Sequence, residues 1–254
     1  LSEIMREDVL SVPPDMDREE VADVLQKYGY YALPVIDNRQ HLLGIVTIDD
    51  VVDVIRTEAT EDMHRMVGAG ADEHIGSPVA FVWRRRIPWL MLNLGTAFLA
   101  SSVVGAFEQT LQRLTVLAVL LPVVAGQAGN TGLQSMAVMI RSIAVGETRG
   151  LRLAWIVMRE VWIGLGLGAV IAVACGCVAY AWRGDPALAL VLGSAMMLCM
   201  LIATVSGALV PCLMQRLGFD PAQSASIILT TITDVVGFAV FLAMGTLLLA
   251  GTAA

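Results

Sequence analysis

From Pro221 to the carboxy terminus the chain runs thirty-four residues with one ionisable side chain, Asp234, inside Ile227-Ile228-Leu229-Thr230-Thr231-Ile232-Thr233-Asp234-Val235-Val236-Gly237-Phe238. A carboxylate in the middle of a bilayer-length apolar segment costs about 2.5 kcal/mol or more on insertion scales, so it points to an ion, proton or substrate site. Thr230 lies one helical turn before it, and its hydroxyl or carbonyl can face the same side. A carboxylate among neutral oxygens suits a hard cation such as Mg²⁺, which sheds water reluctantly and keeps several waters around one or two carboxylates. A proton relay and a buried pair with an arginine are the competing readings. No basic residue is expected deep in a span, which weakens the pair.

A second polar run, Leu121-Pro122-Val123-Val124-Ala125-Gly126-Gln127-Ala128-Gly129-Asn130-Thr131-Gly132-Leu133-Gln134-Ser135, places proline, glycines and amides at membrane depth. Proline and glycine weaken a helix there, and freed carbonyls are tolerated only inside protein or along a wet cavity, where they present oxygen dipoles to a cation. Close helix packing accounts for the glycines. It does not account for Gln127, Asn130 and Gln134 together.

A third set is acidic. Asp50 and Asp53 are three apart, as are Glu58 and Glu61, so each pair shares a helix face and repels itself unless a cation lies between. All-oxygen ligands suit Mg²⁺ or Ca²⁺. A solvated acidic face is the plainer alternative, and His64 and His74 form no zinc spacing.

The elements that carry these residues divide by charge. Residues 1–75 hold seventeen acidic and six basic side chains, residues 76–254 six and ten, for a net of −7 overall. With 57% hydrophobic residues and a mean hydropathy of +0.73, an acidic soluble part is joined to an embedded one. Five runs are long enough to span, near 87–107, 112–140, 158–182, 187–214 and 222–250. Placing residue 86 in the cytoplasm puts Arg84, Arg85, Arg86, Arg141, Arg149, Arg152, Arg159 and Arg216 on that side, against Arg113 and Arg183 on the other. The acidic part is then cytoplasmic and Ala254 outside, in what is expected to be a bacterial cytoplasmic membrane. Cys175, Cys177, Cys199 and Cys212 lie in apolar stretches and read as reduced packing residues. The chain starts with Leu, so the numbering is expected to begin inside a longer polypeptide.

In the soluble part, Asp17 and Glu20 form a capping box before an amphipathic helix around Val21–Leu25. Leu33–Asp37 and Leu42–Thr47 read as strands joined by the turn Asp37-Asn38-Arg39-Gln40, and Ile48–Arg56 returns to helix. This order, with Gly44-x-x-Thr47-x-x-Asp50 after a strand, resembles a cystathionine-β-synthase (CBS) repeat over about residues 1–57. Such repeats work in pairs and often bind adenine nucleotides, which implies ATP or a relative, with Thr47 on phosphate and Asp50 on ribose. Asp50 beginning the last helix is the structural alternative. Residues 58–86 form a connecting helix ahead of the pore domain at 87–254.

Gly129-Asn130-x-Gly132-x-Gln134-Ser135, Asp220-Pro221-Ala222 and Thr231-x-x-Asp234-x-x-Gly237 are similar to the MgtE family of magnesium channels, and the resemblance covers the whole chain. It implies an α-helical membrane protein with five transmembrane helices per subunit, after a small α+β CBS-type repeat and a connecting helix. It further implies a homodimer in the lipid bilayer with a central pore lined by the second and fifth spans. On that resemblance Asp234, Thr230, Asn130, Gly129 and Asp220 would be the pore positions. Cytoplasmic Mg²⁺ bound among Asp50, Asp53, Glu58, Glu61 and Asp62 would draw a plug-like connector into the closed state. The sequence departs from the family at Ala128-Gly129, where a Gly-Gly is usual, and at Ser226-Ile227, where some members carry Asn-Pro. The family's amino-terminal helical domain and first CBS repeat are absent from these residues. A nucleotide-sensing membrane anchor and a proton-coupled divalent exchanger are the alternatives. No phosphate-binding loop or nucleophile–base pair suggests a pump or an enzyme, and no nucleic-acid partner is expected.

Overall fold

The computed structural model describes residues 9–148 and 150–249; the side chains of Glu19, Arg56, Glu58, Ala59, Asp62 and Gln223 lie outside that description. Arg149 and Ala254, used in the orientation argument, also lie outside it. The chain divides into two compact units, Leu1–His64 and Arg65–Ala254.

In the first unit, α1 (Arg18–Tyr28) is followed by β1 (Ala32–Ile36), β2 (Leu42–Thr47) and α2 (Ile48–Met66), whose last two residues, Arg65 and Met66, belong to the second unit. The strands pair antiparallel, Leu33 opposite Val46 and Val35 opposite Gly44, with an irregularity after Val35. Their turn is held by one carboxylate. Asp37 Oδ1 accepts from the amides of Arg39 and His41, each at 2.8 Å, and Gln40 takes a positive φ of 64°. Val12 adds a parallel bridge to Val35 that the periodicity did not signal. The small core is Val12, Val21, Ala22, Leu25, Leu33 and Val51, so the apolar stripe of α1 lands where its spacing predicts. Leu42, Leu43 and Ile45 of β2 stay more than half exposed. The last CBS helix and the start of the connector are one element, α2.

The second unit holds α3 (Val79–Ala106), α4 (Glu108–Arg113), α5 (Thr115–Ala144), α6 (Leu153–Arg183), α7 (Pro186–Arg216) and α8 (Pro221–Leu249). Five of these, all but α4, are long and apolar enough to cross a membrane. α3 begins eight residues before the expected edge, so Arg84, Arg85 and Arg86 lie on the helix. The segment before it folds back: Arg85 donates to Asp72 at 3.2 Å and Arg86 Nε to buried Glu73 at 3.0 Å.

α7 is the central helix, packed by α5, α6 and α8, while α3 leans on α8. Small residues let the backbones approach, the means by which helices associate where lipid is as apolar as the core. A Cβ at Gly164 of α6 would lie 2.9 Å from Leu201 Cα, and one at Gly168 3.1 Å from the Met197 carbonyl oxygen. Leu117, Val124, Met196, Met200, Phe241 and Leu242 fill the layer between α5, α7 and α8. α5 is uninterrupted. Helix continues through Pro122 and the following glycines, against the expectation of a weakened segment, because the buried face of Leu117, Leu120, Val124, Ala128, Thr131 and Gly132 is held along its length.

Candidate functional site

α8 begins with a residue pair suited to starting a helix. Asp220 Oδ1 accepts the Ala222 amide at 2.9 Å, and Pro221 occupies the first turn, where its missing N–H costs nothing. Asp220 Oδ2 accepts from Arg65 Nη1 at 3.0 Å. Fourteen residues on, about 21 Å along the axis, Asp234 is half-buried and, among the described residues, its carboxylate has no hydrogen-bond or ion-pair partner. Asp220 and Asp234 of one chain therefore cannot share an ion.

The threonines around Asp234 donate to their own helix. Thr230 Oγ1 reaches the carbonyls of Ser226 and Ile227 at 3.0 and 3.1 Å, Thr231 that of Ile227 at 2.6 Å, and Thr233 that of Thr230 at 3.1 Å. With the protons so placed, the hydroxyl lone pairs remain free to accept or coordinate.

α5 packs antiparallel against α8. Gly245 faces Leu117, Gly237 faces Val124, and Gly132 faces Leu229, where a Cβ would come within 2.9 Å of Leu229 Cδ1. This register sets Asp234 level with Gln127, and Asn130 level with Thr231, one turn or about 4.5 Å away. Pro122, Gly126, Gln127, Asn130, Leu133 and Gln134 form one exposed stripe of α5, with Gly129 partly exposed beside it. A Cβ at Gly126 or Gly129 meets nothing within 4 Å. Close packing within the chain thus accounts for Gly132 but not for those two.

Sequence reasoning missed Glu160. It is 4% exposed inside α6, with Ser135 Oγ donating to its Oε2 at 3.0 Å and Arg159 Nη1 to its Oε1 at 2.9 Å. The Arg159-Glu160 dipeptide reads as a span edge, and it lies about two turns into α6, which starts at Leu153; Arg159 pairs with Glu160 and not with Asp234.

In the first unit Thr47 and Asp50 engage each other. Asp50 Oδ2 accepts from Thr47 Oγ1 at 2.6 Å and from its amide at 3.1 Å, closing the start of α2. These bonds, the hydroxyl first, hold the Asp50 carboxyl below its ordinary pKa. Asp53 is exposed one turn on. Glu61 is eleven residues beyond Asp50, about 16 Å along α2, and the side chains of Glu58 and Asp62 lie outside the described residues. One chain does not gather these five around a single ion. Among the described residues no three His, Cys, Asp or Glu side chains are grouped to hold a metal.

A family model described as MgtE, divalent cation transporter, matches residues 121–244, and a CBS domain model matches residues 1–57. The chain is similar to the magnesium transporter MgtE of Thermus thermophilus, 38% identical over 255 residues, covering 98% of this chain and 56% of that protein. It is likewise similar to the magnesium transporter MgtE of Bacillus subtilis, 32% identical over 246 residues, covering 97% of this chain and 54% of that one. For that of Enterococcus faecalis the identity is 34% over 241 residues, covering 95% and 53%. The chain spans about half the length of the curated relatives it matches. The two parts are matched in the order in which they stand here, a CBS domain over residues 1–57 followed, over residues 121–244, by a divalent cation transporter domain of the MgtE family.

Proposed function

We propose that this chain carries the pore of a homodimeric Mg²⁺ channel, with Asp234 of each subunit holding a hydrated ion. The observation that carries the reading is a carboxylate without a partner among the described residues, in the middle of an apolar 29-residue helix and level with an amide-bearing stripe on α5. An ionised carboxylate with no protein partner at that depth needs water or a cation to offset its desolvation. Gly126 and Gly129, open within one chain, support close approach of a second copy or of a hydrated ion. Thr230, Asn130 and the Gly129 carbonyl supply neutral oxygens near the Asp234 level. Asp220, a cap and ion-pair member, belongs to the cytoplasmic end of the same path.

The names of the relatives support Mg²⁺ as the transported ion, and the arginine distribution supports a cytoplasmic first unit with the carboxy terminus outside. The exposed apolar residues of β2 favour a second CBS repeat or subunit as cover. Cytoplasmic Mg²⁺ bound among Asp50, Asp53, Glu58, Glu61 and Asp62 from both subunits, on the connector that follows the CBS repeat, would relieve their repulsion and favour the closed state by its differential affinity. Adenine-nucleotide binding at Thr47 and Asp50 would have to displace their mutual hydrogen bonds. The test is Mg²⁺ uptake by the full-length protein in liposomes. Asp234→Ala abolishes it on this reading, whereas unchanged flux removes the pore assignment. Flux that collapses with the proton gradient would instead make the protein an exchanger.

A further inference from the structure

We propose that Glu160 is a positioning residue for the cation path, fixing the rotation of α5 that presents Gln127, Asn130 and Gln134 on its open face; the proposal rests on the transport reading above. Three helices meet at Glu160. Its carboxylate takes the Ser135 hydroxyl of α5, and its main-chain carbonyl accepts from Thr204 Oγ1 of α7 at 3.2 Å. Beside it the backbones of α5 and α7 are in near contact: a Cβ at Gly207 would collide with the Gly132 carbonyl and lie 2.9 Å from Ser135 Cβ.

Packing alone does not call for a carboxylate here. Buried ion pairs are often replaceable by apolar residues at no loss of stability, so retention of one suits a role in specifying an arrangement. That need is acute for α5. Its open face also carries Val119, Val123, Leu133 and Val138, and in lipid such residues do not distinguish inward from outward. The Ser135–Glu160 bond is directional. At 100° per residue, it sets Gln134 about 100° and Asn130 about 140° round the helix from the α6 contact.

The experiment uses the full-length protein in liposomes, with Glu160→Ala, Glu160→Gln and Ser135→Ala compared for Mg²⁺ flux. In parallel, each is combined with Gln134→Cys in a cysteine-free background to measure labelling by a membrane-impermeant thiol reagent. Glu160→Ala and Ser135→Ala are expected to lower both flux and labelling rate about tenfold, and Glu160→Gln, whose amide oxygen still accepts from Ser135, to stay within about threefold. Unchanged labelling in a monodisperse Glu160→Ala or in Ser135→Ala overturns the proposal. So does a Glu160→Gln loss equal to that of Glu160→Ala with Ser135→Ala unaffected, since charge and not the bond would then matter. If Glu160→Ala fails to fold, Ser135→Ala decides alone. A parent protein without Mg²⁺ flux would refute the transport reading, while the labelling contrast would still settle whether Glu160 orients α5.

Discussion

Arg65 donates to Asp220 at 3.0 Å, tying the end of α2 to the residue that caps α8. The carboxylate therefore serves two partners, and they separate by substitution. Both side chains are about a third exposed, so the ion pair is worth well under about 1 kcal/mol, whereas loss of a cap costs about 1 kcal/mol. Asp220→Ala should lower the thermal midpoint in detergent more than Arg65→Ala, and Asp220→Asn, which keeps the cap, should resemble Arg65→Ala. Equal losses for Asp220→Ala and Asp220→Asn would show that the cap contributes nothing.

Gly129 and Gly132 lie on the same helix and should respond oppositely to alanine. At Gly129 the added methyl meets nothing within 4 Å among the described residues, and helix propensity favours the change by up to about 1 kcal/mol. At Gly132 it presses on Leu229 Cδ1 at 2.9 Å and the Ala203 carbonyl oxygen at 3.3 Å, a change of the kind that costs about 1–3 kcal/mol. Thermal unfolding of the two variants reads the contrast, and on the channel reading Gly129→Ala, though stably folded, loses Mg²⁺ flux.

Asp50 makes the first unit's stability dependent on pH. Its carboxyl is held below the ordinary value by the Thr47 hydroxyl and then the Thr47 amide. A depressed folded-state pKa contributes stability that is present above the unfolded value and lost as the pH falls through the folded one. The destabilisation caused by Thr47→Val should thus be fully seen near neutral pH and should shrink in acid below the ordinary carboxylate range. A difference in thermal midpoint that stayed constant from neutral pH into that acid range would contradict this.

Gly68 has a φ of +74°, and a Cβ there would overlap the Trp89 ring. Both features exclude a side chain, so Gly68→Ala must displace the segment that carries Asp72 and Glu73 from α3. A shift in Trp89 fluorescence, read against a parent in which the other tryptophans are replaced, together with a lower thermal midpoint, is expected. Unchanged emission would mean that the segment accommodates the methyl elsewhere.

The sequence by itself determined what local patterns can carry: the five spans, the helix–strand–strand–helix order, the Asp37 turn and the isolation of Asp234. Span length, alternation, turn chemistry and the cost of a charge in lipid are properties of single segments, so they survive without knowledge of neighbours. Only the tertiary structure decided which polar groups meet. It paired Glu160 with Ser135 across two helices, engaged Asp220 with Arg65, and separated Gly132, hemmed in by α7 and α8, from Gly126 and Gly129, which are open. It also carried helix through Pro122, where composition suggested weakness. The reason is physical: in an apolar solvent the rotation and register of a helix are set by close contacts and directional hydrogen bonds with its neighbours, not by its own hydrophobic period.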